Sequence, residues 1–339
     1  MNVRELRFAL AWLLPAVVAV GVAYGPWWAL AAMATFQASV AAAEWWPGAQ
    51  RGPAPVAHTG WHRAVLRLHV VFQMALLGWG LHAALGGGVS AAEALALGVA
   101  VGGVCGSQGI TFAHELGHSR RRSDRALAWL LMASVNYAHF MVEHYRGHHV
   151  RAATHDDPAS ARRGESLWRF LPRTVAGSWK SAWALEARHL TQRRRGWWRS
   201  ALLWVTAAQV AVWLALFATG GLNALLFWAG ASVYAVFLLE VINYIEHYGL
   251  SRRVENGRAE PFGLQHAWNA DHWLTNSMIA NLQRHSDHHM HAWKPYAELA
   301  ALPGPQLPAG YAGCIALATL PPLWFAAMHK RLDALAAAT

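Results

Sequence analysis

Apolar residues along this chain gather into runs separated by short polar or charged stretches, and the runs have the length of membrane crossings. A helix needs roughly 20 predominantly apolar residues to traverse the hydrocarbon core. Six stretches reach or approach that length: Phe8 to Tyr24, Trp27 to Ala43, Leu66 to Leu85, Ala91 to Phe112, Ala201 to Ala218 and Ala224 to Ile245. The first two meet at Tyr24-Gly25-Pro26 and read as a tight hairpin. A further run, Ala126 to Val142, is shorter and is expected to skim the membrane or pack in a core. No repeat or linker divides the pattern, so residues 1–339 are expected to form a single membrane-embedded, all-α domain with six transmembrane helices.

Composition strengthens this picture. Hydrophobic residues make up 55% and charged residues 14%, whereas about 25% charge is ordinary for soluble domains. Trp27, Trp28, Trp45, Trp46, Trp197 and Trp198 fall at run ends, where aromatic side chains anchor helices at the interface. Met1 to Arg7 is mildly basic and leads straight into the first run, so it is expected to be retained rather than cleaved.

Charge placement adds an orientation. All 28 Lys and Arg fall before residue 8, between 51 and 67, between 120 and 199, or after 250. The connections at 24–26, 86–90 and 219–223 carry no charge. By the positive-inside rule these connections face away from the cytoplasm, and both termini lie within it. The chain then emerges on the cytoplasmic side just before Pro47, His114 and His247. A net charge of +10 suits anionic lipid head groups or an acidic partner protein. No nucleic-acid recognition module is present. Cys105 and Cys314 offer no CxxC motif, so the chain carries no iron–sulfur electron carrier of its own.

Candidate chemistry sits where the apolar runs end. Nine histidines occur in four clusters: His114 and His118, then His144, His148 and His149, then His247, then His285, His288 and His289. A single ion with an open position needs about three protein ligands, so nine imidazoles imply more than one ion. Neutral imidazole suits iron, zinc, copper and nickel rather than magnesium or calcium, and two irons are the leading reading. His114 and His118 share a helix face, with Glu115 directed sideways. Glu115, Glu143, Glu246 and Asp287 lie beside the clusters and are expected to accept the second N–H of ligating rings, with ion pairing to nearby arginines as the alternative. His139, His155, His266 and His272 are candidates for support, while His69 and His82 lie in or near the third run. His58, His62, His189, His291 and His329 read as solvent or interface residues. The string H-E-x-x-H by itself also fits a zinc protease, and histidine gathering also occurs in metal-transport proteins.

The strings H-E-L-G-H, E-H-Y-R-G-H-H-V-R-A-A-T-H-D-D-P, N-Y-I-E-H-Y-G-L and L-Q-R-H-S-D-H-H closely resemble motifs of the membrane-bound alkane 1-monooxygenases, within the wider superfamily of fatty-acid desaturases and hydroxylases. The resemblance runs from about Leu66 to Phe325. It implies six transmembrane helices and a cytoplasmic, histidine-rich centre of two non-haem iron ions held by the nine histidines, with no separate catalytic side chain. It also implies terminal hydroxylation of n-alkanes drawn from the bilayer, using dioxygen. Electrons would come from a separate rubredoxin and its NAD(P)H-dependent reductase, at the bacterial inner membrane. Arg193-Arg194-Arg195 is a candidate docking patch for an acidic rubredoxin. Ser119, His155 and the stretch Met290-His291-Ala292-Trp293 depart from the usual pattern. They leave open a substrate with an aromatic methyl group, as in the related xylene monooxygenases, or an acyl lipid.

Overall fold

The computed structural model describes residues 3–46, 48–50 and 52–338. Pro47 and Arg51, which follow the second expected crossing, and the terminal residues Met1, Asn2 and Thr339 lie outside the described residues. The chain is mostly helical, with one amendment to the all-α expectation: Val254–Glu255 pairs antiparallel with Arg258–Ala259.

Four helices are long and apolar enough to cross a membrane: Val3–Tyr24, Gly60–Leu85, Ala91–His118 and Ala201–His247. Two causes separate this count from the six expected. Pro26–Glu44 forms where expected, but Trp27, Trp28, Thr35, Gln37 and Ser39 dilute its apolar character. The fifth and sixth runs emerge as one continuous helix, broken at Gly221 by a positive φ of 61°. Unbroken, its 47 residues would reach about 70 Å at 1.5 Å per residue, over twice the roughly 30 Å hydrocarbon thickness. The break instead folds the two arms side by side. Asn136 ties them together, because Trp213 Nε1 donates to its Oδ1 at 3.1 Å and its Nδ2 donates to Ser232 Oγ at 2.6 Å.

The expected hairpin between the first two helices is present. Gly25 adopts φ +129°, a conformation costly for other residues, and Pro26 opens the next helix at a position that needs no N–H donor. The run expected over Ala126 to Val142 is interrupted. A helix spans Arg122–Ser134, Asn136 then takes φ +58°, and a short helix resumes at Phe140–Glu143.

Glycine spacing brings the Ala91–His118 helix against the second arm. Gly98, Gly102 and Gly106 recur every four residues on one face, so they meet Phe227, Ala231 and Ala235 in the same order along the neighbour. A Cβ on Gly102 would lie 2.6 Å from the Ala231 carbonyl oxygen, and one on Gly106 would lie 2.9 Å from Ala235 Cα. Hydrophobic driving force between helices vanishes in lipid, so this close approach supplies the attraction through dispersion. These two helices carry His114, His118 and His247 at their ends, and their separation therefore sets the spacing of the rings. Gly102→Val should overpack the contact by about 1–3 kcal/mol. Its expected signature is a lower thermal midpoint in detergent and reduced metal content per chain, read by light-scattering melts and elemental analysis.

Candidate metal centre

The first two histidines lie on the last two turns of the Ala91–His118 helix. That helix is interrupted by a π-helical turn at Cys105–Ile110 before resuming over Thr111–His118. Such turns insert a residue into the helix and rotate everything after it, and they are frequent at functional sites. Gly117 has no side chain because Tyr145 occupies that space. The Tyr145 hydroxyl in turn donates to the His114 carbonyl at 2.9 Å, stapling the first cluster to the second.

A second π-helical turn covers His144–His148, and it redistributes the second cluster. In a regular α-helix His144 and His148 would share a face. Here His149 Nε2 lies 3.0 Å from His144 Nε2, while His148 turns toward His247 and His289, with ring centroids at 5.0 and 4.9 Å. The His285–Met290 helix divides its histidines too, because positions three and four apart fall on either side of one line along the helix. His114 Nε2 lies 2.9 Å from His288 Nε2, and His285 Nε2 lies 3.2 Å from His247 Nε2.

All nine histidines thereby converge in two adjoining groups. His114, His118, His144, His149 and His288 form one, and His148, His247, His285 and His289 form the other. Within each group the ligand-capable nitrogens lie within 4.8 Å of one another. Two nitrogens bound about 2.1 Å from one ion at a right angle stand roughly 3.0 Å apart, which matches the three close Nε2 pairs. Nε2 of His118, His148 and His289 is buried without any hydrogen-bond partner. Buried polar atoms are rarely left in this state unless an ion or water takes them. The arrangement thus fits a metal centre, and imidazole-only donors suit iron, copper, nickel or zinc.

Electrostatics keeps most of these rings in the ligating form. Burial, followed by the neighbouring imidazoles, holds His144, His149, His285 and His289 well below the ordinary histidine range. Burial and then His148 bring His288 to about 4. His148 is the exception: burial would lower it, but Asp157, with Glu143 and Glu246, raises it overall. The Asp157 Oδ2 atom accepts from His148 Nδ1 at 2.9 Å and from Ser160 Oγ at 2.6 Å. His247 Nδ1 donates to the His266 carbonyl at 3.0 Å. In both rings Nδ1 is engaged and Nε2 is left facing the group, which selects the tautomer a metal requires.

The four carboxylates singled out from sequence take different positions. Glu246 Oε1 lies 3.2 Å from His285 Nδ1 and accepts from the Tyr311 hydroxyl at 2.9 Å. Glu143 accepts the backbone N–H of His148 at 3.1 Å, together with Arg151 at 2.6 Å and Ser181 at 2.9 Å, and so braces the π-helical turn rather than a ring. Burial lifts its carboxyl to about 7. Asp287 accepts from His291, Lys294 and the Ala300 N–H, each at 2.7 Å. Glu115 accepts the Tyr296 N–H at 3.1 Å, and five imidazoles rather than two surround its neighbours. The H-E-x-x-H string therefore does not assemble a protease site.

Sequence reasoning did not single out Asp157, although an Asp-Asp pair follows the second cluster closely. Arg284, expected from sequence only as an ion-pair partner for the carboxylates beside the clusters, is fully buried and donates to Asp271 at 2.9 Å, the Leu299 carbonyl at 2.5 Å and the Pro53 carbonyl at 2.7 Å. That network pins the start of the third cluster. Of the spare histidines, His266 contributes its carbonyl, His139 packs on Tyr137 and Trp179, and His155 is exposed. His62, which reads from sequence as a solvent or interface residue, is buried against Phe8 and Tyr296.

An apolar cavity lies next to the space that the histidines border. Phe36, Val40, Leu238, Ile242, Met278 and Ile279 form much of its wall. Gly106, Thr111, Ile242 and Leu282 are shared with a smaller space that reaches His114, His144 and His285.

Comparison with known proteins places these features in context. The model for the fatty acid desaturase family matches residues 90–318. An alkane 1-monooxygenase 2 of Pseudomonas aeruginosa is 44% identical over 242 residues, covering 70% of this chain and 64% of the relative. An alkane 1-monooxygenase of Acinetobacter baylyi is 38% identical over 244 residues, covering 71% and 60%. The hydroxylase component of a xylene/toluene monooxygenase of Pseudomonas putida is 30% identical over 222 residues, covering 64% and 58%. The chain thus spans less than two thirds of the length of each of these relatives.

Asp157→Asn removes the charge behind His148 while keeping the side chain's shape. Metal affinity should fall about 10- to 100-fold, read by competition with a chelator, with helical content unchanged.

Proposed function

This chain belongs to the fatty acid desaturase family, and on that premise we propose that it is a membrane hydroxylase that converts n-alkanes to 1-alkanols. The observation that carries this reading is the apolar cavity whose wall is shared with a smaller space reaching His114, His144 and His285. A terminal methyl group, dioxygen, two electrons and two protons give a primary alcohol and water. The nine histidines His114, His118, His144, His148, His149, His247, His285, His288 and His289 would hold two irons, which supply the dioxygen chemistry.

The chain's own residues would do the rest. The apolar wall from Phe36 and Val40 to Ile242 and Leu282 orients a hydrocarbon that offers no hydrogen bond, so shape alone selects the end presented. The same wall excludes water from the reacting methyl. Asp157 and the His266 carbonyl would keep His148 and His247 in register with the ions, and Glu246 stands 3.2 Å from His285 Nδ1. Six crossings, counting Pro26–Glu44 and the two arms around Gly221, would set both termini and the centre on the cytoplasmic side of a bacterial inner membrane within one domain spanning residues 1–339. The electrons would come from rubredoxin, reduced by its NAD(P)H-dependent reductase. A second reading, hydroxylation of an aromatic methyl, is favoured by the xylene/toluene relative.

Product analysis under labelled dioxygen decides between them, using cells that carry this chain with rubredoxin and its reductase. Labelled 1-alkanols are expected from n-alkanes. Labelled methylbenzyl alcohol alone would select the second reading, and no labelled product from iron-loaded protein would overturn both. His288→Ala should lose iron and turnover while still inserting into the membrane; wild-type turnover in that variant would refute its role as a ligand. Ile242→Trp fills the shared wall and should retain iron while turnover of long alkanes falls more than that of short ones.

A further inference from the structure

Two of the nine histidines, His118 and His149, are incompletely buried, so the five-membered group is the one that approaches the surface. His118 also forms part of the wall of a surface cleft with His58, Arg63, Arg120, Trp293 and Lys294. Glu115 and Asp124 also line it, but its rim is basic. Arg120, Arg121 and Arg122 follow His118 almost directly and are all exposed. The nearby carboxylates are already engaged: Asp124 by Arg67 at 2.9 Å and Ser119 at 2.7 Å, Glu115 by the Tyr296 N–H, and Asp287 by Lys294. Among the described residues no carboxylate forms an ion pair with Arg63 or with Arg120 to Arg122. Trp293 stands 72% exposed at the rim, the kind of residue that anchors an interface centre.

We infer that this cleft is the docking surface for a small acidic one-electron carrier, which passes its electron to the metal centre beside His118. The inference rests on the hydroxylase reading, which requires two electrons per turnover; two reduced carriers docking in turn would supply them and leave oxidised. A cleft that shares a wall with a site imidazole shortens the path from carrier to centre. A basic rim raises the encounter rate with an acidic partner. The Arg193-Arg194-Arg195 run is exposed as well, but no hydrogen bond or ring contact joins it to any of the nine histidines among the described residues.

The test mixes iron-loaded protein in neutral detergent with reduced rubredoxin, alkane and oxygen, and follows carrier reoxidation by stopped-flow absorbance across a salt series. R120E/R121E/R122E should slow reoxidation at low salt about tenfold or more and flatten its salt dependence, with iron content unchanged. R120Q/R121Q/R122Q should show a smaller loss in the same direction, which keeps the test valid if the first variant folds poorly. R193E/R194E/R195E should behave as wild type. Unchanged rates in both Arg120–Arg122 variants would overturn the proposal. So would an effect absent in detergent that appears only when the same assay is repeated in vesicles containing anionic lipid, which would make the run a lipid contact. A wild-type protein that ignores reduced rubredoxin yet hydroxylates alkane after chemical reduction and admission of oxygen would overturn docking and leave the hydroxylase reading standing. Failure to hydroxylate with either donor would defeat the hydroxylase reading itself.

Discussion

Nine imidazole lone pairs aimed into a space with few polar partners are the constraint around which this molecule is arranged. Each buried nitrogen without a partner costs about 1–3 kcal/mol, and Nε2 of His118, His148 and His289 is left so by the protein alone. Cations repay that cost, and the fold makes their binding the simplest way to satisfy the group. Burial and mutual proximity keep most of the rings neutral, because a proton on one would face both a poor solvent and several neighbours able to share its charge unfavourably. His148 is balanced differently by Asp157, which compensates the positive charge that the ring carries with either a proton or a metal.

Holding that convergence demands rigidity from elements that are individually weak in a membrane. Gly98, Gly102 and Gly106 let the Ala91–His118 helix and the arm ending at His247 meet backbone to backbone, which places two of the four clusters. Arg284 and the Asn269–Ser286 hydrogen bond at 2.7 Å place the third multi-histidine cluster by tying it to loops far away in sequence. The Tyr145 hydroxyl joins the remaining cluster to the first. Side chains from four separate parts of the chain are thus held by links that do not pass through any metal.

The same packing defines reactivity. The apolar cavity and the histidine groups share the helices that build them, so neither can be repositioned independently of the other. The basic cleft borders the first group beside His118.

Much of this was legible in the chain itself. The apolar runs, the Gly25-Pro26 hairpin, the nine histidines and their grouping at run ends follow from periodicity and residue chemistry, because lipid forces every crossing to be a long apolar helix. The two-group partition was not legible. Regular helical spacing pairs His144 with His148, and only the π-helical turn, stabilised by Glu143 and Arg151 across the helix, pairs His144 with His149 instead. Nor could sequence select Asp157 from the acidic residues near the clusters, since a carboxylate acts on a ring only when the loop folds it within hydrogen-bond reach. Local patterns determine which elements form and which side chains carry the chemistry. The folded structure decides which nitrogen meets which, because that geometry depends both on how each turn folds locally, as for His144 with His149, and on packing that joins distant parts of the chain, as for His114 with His288.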